Sequence, residues 1–285
     1  MVSERAIRQY FTTPNILAAL SSILVNSYLI YKLWKSKKLH SISYKLVAIL
    51  SASDVCVGFA LLAVEIFHRI VQDGEDYFIL RACIGIFLDN SCQFSGFMIL
   101  LIAVDRYIHM KYPRQYIAIM TNSKAVAAVS MSMITSLCLT AIFLWALVKD
   151  FMFIYFLTVS IVAILVMHVL SILYIRAYRT VRNQTKPLIL NNSSLQPVTV
   201  IRRDPNREFC RVVLYILAAL WICHLPFIIT APMKHHARFK NEQNMIVCFF
   251  YSELLVFINS SLNAVLFTYF GNQFNSKRLL RFPCC

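Results

Sequence analysis

Seven long apolar stretches constrain this chain more than any other feature, with approximate limits 14–34, 44–70, 79–109, 122–148, 151–181, 206–232 and 244–270. Each holds between 21 and 31 residues, roughly 31 to 46 Å as helix at about 1.5 Å per residue. A bilayer core of about 30 Å needs about 20 apolar residues, so all seven are long enough to cross, several with tilt. A transmembrane barrel would show alternating strands of about ten residues, and no such alternation is present. The composition agrees: 59% of the 285 residues are hydrophobic and 14% charged, against roughly 45–50% and 25% for an ordinary soluble domain. The predicted fold is an all-α membrane protein, a bundle of seven transmembrane helices over residues 14–270.

The net charge of +15 has to be located before its sign is used. All but eight of the 28 Lys and Arg residues fall near one end of the spans, the exceptions being Arg5, Arg8, Arg69, Arg81, Lys149, Lys234, Arg238 and Lys240. By the positive-inside rule the richer end is cytoplasmic, which puts residues 1–13 outside and the carboxy terminus inside. Anionic inner-leaflet lipid accounts for the basic excess, and nucleic acid is not needed as a partner. The polar start is not read as a cleavable signal peptide. Thr13-Pro14 and Asp204-Pro205 are expected to open the first and sixth helices, a cap followed by proline at the first helical position. The loops are short except a polar third cytoplasmic loop over 183–205. The nine cysteines include no CxxC pair, against a zinc site or a secreted disulfide framework.

Polar residues at bilayer depth are functional candidates, because an ionisable group there costs a few kcal/mol by insertion scales. Asp54 lies in the second stretch, Ser95 in the third, and Asn259, Ser260 and Asn263 in the seventh. A carboxylate among hydroxyl and amide oxygens is a hard-cation site, most simply for sodium. An interhelical hydrogen-bond cluster around a neutral Asp54 is the alternative that spacing leaves open. Nearer the outside, Glu65 follows Asp54 by three turns, Asp89 sits in the outer third of the third stretch, and Glu253 heads a stripe at helical spacing. Converging carboxylates favour a cationic ligand, with Phe227, Tyr251 and Phe257 as aromatic walls and Cys92 beside them. Glu65 and Glu253 reaching water at the rim is the other reading. His224 precedes Pro226, a proline expected to kink the sixth helix.

In order along the chain, these residues resemble the rhodopsin-like (class A) G-protein-coupled receptor family. The resemblance is carried by Asn26, by Ser51-Ala52-Ser53-Asp54, by Asp105-Arg106-Tyr107 followed by Pro113 and Tyr116, and by Tyr174. It continues with Cys223-His224-Leu225-Pro226, Asn259 to Phe267, and Gly271 to Arg281 read as a short amphipathic eighth helix inside. It implies a plasma-membrane, multi-pass receptor, not an enzyme, that binds an extracellular ligand and activates a heterotrimeric G protein. Asp105, Arg106, Tyr107, Tyr174, Pro226, Asn263 and Phe267 would serve coupling and activation. Asp54, Ser95, Asn259, Ser260 and Asn263 would hold sodium, the one bound ion implied. Glu65, Asp89, Cys92, His224, Phe227, Tyr251, Glu253 and Phe257 would face the ligand, a basic peptide or an amine-like small molecule.

The departures from the family pattern are His224 for its tryptophan, Ala264 for its proline and Phe267 for its tyrosine. Met133 and Val166 replace a further tryptophan and proline. The second outer loop is nearly absent and holds no cysteine, so Cys83 lacks its usual partner. A minimal loop without bridge or proline resembles the melanocortin, cannabinoid, lysophospholipid and adenosine branch. Cys284-Cys285 after a basic segment suits palmitoylation. Arrestin capture would draw on Thr185, Ser193, Ser194 or Thr199. The competing reading is a transporter or ion pathway through Asp54, His224 and the outer carboxylates. Against it, there is no internal repeat, and the polar track fails below Asp54.

Overall fold

The computed structural model describes residues 4–70, 78–190, 205–236 and 242–273. They form eight α-helices and no strand: α1 (Glu4–Lys35), α2 (Ile42–Ile70), α3 (Phe78–Lys111), α4 (Tyr116–Ile119), α5 (Asn122–Val148), α6 (Met152–Leu190), α7 (Pro205–His235) and α8 (Gln243–Gln273). All but the single-turn α4 are long and apolar enough to cross a membrane. The expectation of seven spans holds, and α7 begins at Pro205 as the cap pattern implied.

Two boundaries differ from expectation. Helix α1 does not start at Thr13-Pro14; it runs from Glu4 through Pro14, so most of the 1–13 segment is helical. Proline at position 14 removes a single backbone donor, and Ile7 and Phe11, one turn apart, are buried against Ala231, Ile246, Phe249 and Phe250. That packing continues the helix beyond its proline. The 183–205 loop is also shorter than read, because α6 stays helical to Leu190. Residues 191–204, Lys277-Arg278 and Cys284-Cys285 lie outside the described residues, as does most of the expected eighth amphipathic helix.

Neighbouring helices pack in chain order, and α8 returns to close against both α7 and α1. A cluster around Leu46, Leu50, Met98, Ala103, Leu170 and Ala264 forms the core of the half remote from the start of α1. Small residues set the helix separations where side chains give little hydrophobic drive in lipid. Gly58 of α2 faces α1 so closely that an added Cβ would sit 2.7 Å from Ile23 and 2.9 Å from the Ala19 carbonyl oxygen. The buried positions of α5 are Ala125, Ser136, Thr140 and Ala146, all small, and bulky residues such as Met131, Ile134, Leu137 and Trp145 are exposed.

The turn from α5 to α6 takes three residues. Asp150 adopts φ 58°, its N–H donates to the Leu147 carbonyl at 3.5 Å, and the Phe151 N–H donates to that of Ala146 at 2.8 Å. This is a Schellman ending with aspartate in the left-handed position usually held by glycine. Trp145 and Phe151 pack their rings across it, centroids 5.7 Å apart. The minimal loop read from the sequence is therefore a helix C-cap. Cys83 is a free, exposed thiol.

Helix α7 passes through two prolines, Pro226 and Pro232. Pro232 has no N–H to give the Ile228 carbonyl one turn earlier, and the Ser160 hydroxyl of α6 donates to that oxygen instead at 2.8 Å. The gap in one helix thereby becomes a tie to the next.

Candidate ligand cavity and signalling face

At the end of the bundle where α1 begins, the helices part around a cavity of about 440 Å³. That volume lies within the roughly 300–1,000 Å³ of small-molecule sites. Its walls are largely aromatic and aliphatic, including Phe143, Phe156, Phe227, Phe249 and Phe257. The rings interlock edge-to-face and keep the walls apart: Phe143 on Tyr155 at 5.2 Å, Phe156 on Phe227 at 6.5 Å. His235 stacks on Phe156 at 4.8 Å.

Asp89, Cys92, His224, Phe227, Glu253 and Phe257 all line this cavity, as the sequence reading grouped them. Two of its companions do not. Glu65 is buried behind the wall, where the Asn15 amide of α1 donates to its Oε1 at 2.7 Å. Tyr251 is 60% exposed and meets Phe11 edge-on at 4.7 Å on the far side of α8. Helical spacing placed Tyr251 two residues from Glu253, and two residues is about 200° of rotation.

The polar groups of the cavity fall on two walls. On α3 the Gln93 side-chain amide donates to Asp89 Oδ2 at 2.6 Å and to the Tyr155 hydroxyl at 3.2 Å, while its own Oε1 is buried without a partner. On the opposite wall Glu253 has Arg8, Lys234 and Glu65 as charged neighbours. Arg8 lines the cavity from the extended start of α1, with its guanidinium 5.9 Å from the Phe250 ring centre. Lys234 lies over Phe249 at 4.3 Å and Phe250 at 5.0 Å. Arg8, Gln93, Tyr155 and Lys234 were missed in the sequence. The apolar pair Ile7 and Phe11 was the available signal that Arg8 is on a packed helix.

Deeper in the bundle, Asp54 is fully buried. The Ser95 hydroxyl donates to its Oδ1 at 2.7 Å, and the Ser22 hydroxyl donates to its backbone carbonyl at 2.9 Å. Asn26 ties α1 to α8 by donating to the Ser260 carbonyl at 3.1 Å. Ser260 and Asn263 flank the same carboxylate. Asp54 Oδ2, Asn259 Oδ1 and both side-chain atoms of Asn263 are buried with no hydrogen-bond partner. Orphaned oxygens beside a buried carboxylate are the donor set a hard cation takes.

At the opposite end Asp105 is fully buried and triply held. The Ser43 hydroxyl donates to its Oδ2 at 2.6 Å, the Tyr116 hydroxyl to its Oδ1 at 2.7 Å, and Arg106 Nε lies 3.3 Å from Oδ2. Burial first, then the bond to Asp105, pushes the Tyr116 phenol up to about 12. Tyr174 is buried near Arg106, and Phe267 packs on the core cluster. Tyr107 lies under the Lys111 ammonium, 5.3 Å from its ring centre.

A family model described as "7 transmembrane receptor (rhodopsin family)" matches residues 25–267. The chain belongs to the rhodopsin family of seven-transmembrane receptors. It is similar to human melanocortin receptor 5, 23% identical over 97% of this chain and 84% of that protein. It is also similar to cannabinoid receptor 1 of Xenopus laevis, 23% identical over 85% of this chain and 56% of the relative. Human olfactory receptor 51F2 is 26% identical over 46% of this chain and 38% of its own length. The melanocortin and cannabinoid groups are among those to which the minimal loop pointed. As a member of this family the chain is a multi-pass plasma-membrane receptor and not an enzyme.

Proposed function

We propose that this receptor binds a small extracellular ligand in the 440 Å³ cavity and activates a heterotrimeric G protein at the Asp105-Arg106-Tyr107 face. The amino terminus is then outside, in keeping with the Lys and Arg asymmetry. One observation carries the reading: the same bundle is open around carboxylates at one end and tied shut around Asp105 at the other. A basic group on the ligand would meet Asp89, with Glu253 on the opposite wall and Phe227 and Phe257 against the ligand's body. Release of Arg106 from Asp105, with movement of α7 about Pro226, would open the inner face. His224, whose Nδ1 lies 3.2 Å from the Leu220 carbonyl, is proposed as the cavity floor.

Asp54, Ser95, Asn259, Ser260 and Asn263 would hold sodium, which neutralises the buried carboxylate and favours the closed state by binding it preferentially. Palmitate on Cys284 and Cys285 and arrestin at the 183–205 hydroxyls are further proposals. The test is nucleotide exchange on a purified G-protein panel, with membranes of cells expressing the chain challenged by primary amines and basic peptides. Stimulated exchange that vanishes in Arg106→Ala supports the assignment; stimulation retained in that variant counts against it.

A further inference from the structure

We infer that the cavity takes an amphoteric ligand, a small molecule with a basic and an acidic group on one apolar body, and that Arg8 reads the acid. The inference rests on the cavity being the ligand site. Its two polar walls ask for opposite chemistry. On α3 the Gln93 N–H groups are already engaged by Asp89 and Tyr155. What remains there is the Asp89 carboxylate and the buried, unpartnered Gln93 Oε1, both acceptors, against the single Tyr155 hydroxyl proton. A donor belongs at that wall.

On the α1–α8 wall, Arg8 Nε is buried and has no hydrogen-bond partner. Glu253 faces it but is shared with Lys234, and the Glu65 carboxylate is held by Asn15. A purely cationic ligand would leave the Arg8 donor orphaned and bring a third positive charge toward Arg8 and Lys234. A purely acidic one would leave Asp89 and Gln93 Oε1 facing apolar rings. A molecule bearing both groups meets both demands, because a buried donor or acceptor left unmade is more costly than the bond it replaces is favourable. Guanidinium also suits a carboxylate geometrically, through paired N–H donors. The aromatic walls between the two poles fit a flat apolar body.

The experiment uses the purified full chain, with binding of each tritiated probe read by equilibrium dialysis. Three probes share an indole body: tryptamine with the base alone, indole-5-carboxylate with the acid alone, and 5-carboxytryptamine with the two at opposite ends. 5-Carboxytryptamine is expected to bind at a concentration about tenfold lower than either of the others, the size of effect of one charged hydrogen bond. Arg8→Gln should bring 5-carboxytryptamine down to the level of tryptamine. Arg8→Lys should restore most of the difference.

Tryptamine binding as tightly as 5-carboxytryptamine, or an order unaltered in Arg8→Gln, overturns the amphoteric ligand while leaving a cation site in place. Binding of none of the three overturns both this inference and the ligand cavity it rests on. Tryptamine binding in each variant serves as the check that the cavity is folded.

Discussion

Where α1, α3, α6, α7 and α8 meet, aromatic rings hold the helices apart around about 440 Å³. At the other end, a cavity of only about 40 Å³ is bounded by Leu29, Leu33 and Phe267. Both ends carry buried carboxylates, and the difference lies in their partners. Asp105 has hydroxyl donors from two other segments and an adjacent arginine. Gln93 Oε1 and Arg8 Nε, by contrast, are left unmatched at the open end. Satisfied polar groups lock helices together, and unsatisfied ones mark where an added molecule would lower the free energy. A two-state element needs both: a contact to break and a site to fill.

Removing the inner arginine tests that contrast most severely. Arg106→Ala should reduce ligand-stimulated exchange to background, measured as GTPγS uptake, while equilibrium binding of the tritiated probe persists. Loosening the lock should do the reverse. Ser43→Ala combined with Tyr116→Phe deletes two donors to Asp105, each worth about 1 kcal/mol or more. Ligand-independent exchange is expected to rise about thirtyfold; an unchanged basal rate would mean that Asp105 does not hold the closed state.

Packing changes should act on stability at both ends alike. Gly58→Ala places a methyl against Ile23 and the Ala19 carbonyl, and an overpacking cost of about 1–3 kcal/mol should lower the Tm of the purified receptor. Ser160→Ala leaves the Ile228 carbonyl above Pro232 without its donor. The expected loss of about 1 kcal/mol should appear as faster amide exchange in α7 around 228–232, with little change elsewhere. The smallest effect concerns pH. A phenol pushed up to about 12 from 10.0 donates to Asp105 fully below its ordinary value, and that contribution is lost as pH rises through about 12. The ratio of wild-type to Tyr116→Phe basal exchange should therefore stay constant between about pH 7 and 9.

Length, apolar content and spacing were enough for seven spans, because a bilayer imposes the same requirement on each segment separately. The grouping of Asp89, Cys92, His224, Phe227, Glu253 and Phe257 was legible too. These residues lie at comparable depth on different helices, and helical spacing within each helix sets the face. Tyr251 and Glu65 failed on rotation, which depends on how a helix is turned by its neighbours. The turn at Asp150 was missed as a cap because no glycine announces it.

The apolar periodicity of the chain by itself determined its class, its number of crossings and the depth of its buried acids. Each follows from local transfer free energy along a single helix. Only the packed bundle decided that α1 continues through Pro14, that Arg8 enters the cavity, that Asn15 occupies Glu65 and that Ser160 completes α7. Those outcomes are pairings between residues far apart in the chain, such as Asn15 with Glu65 and Ser160 with Ile228. Which donor meets which acceptor depends on the relative placement of whole helices, a quantity no single segment encodes.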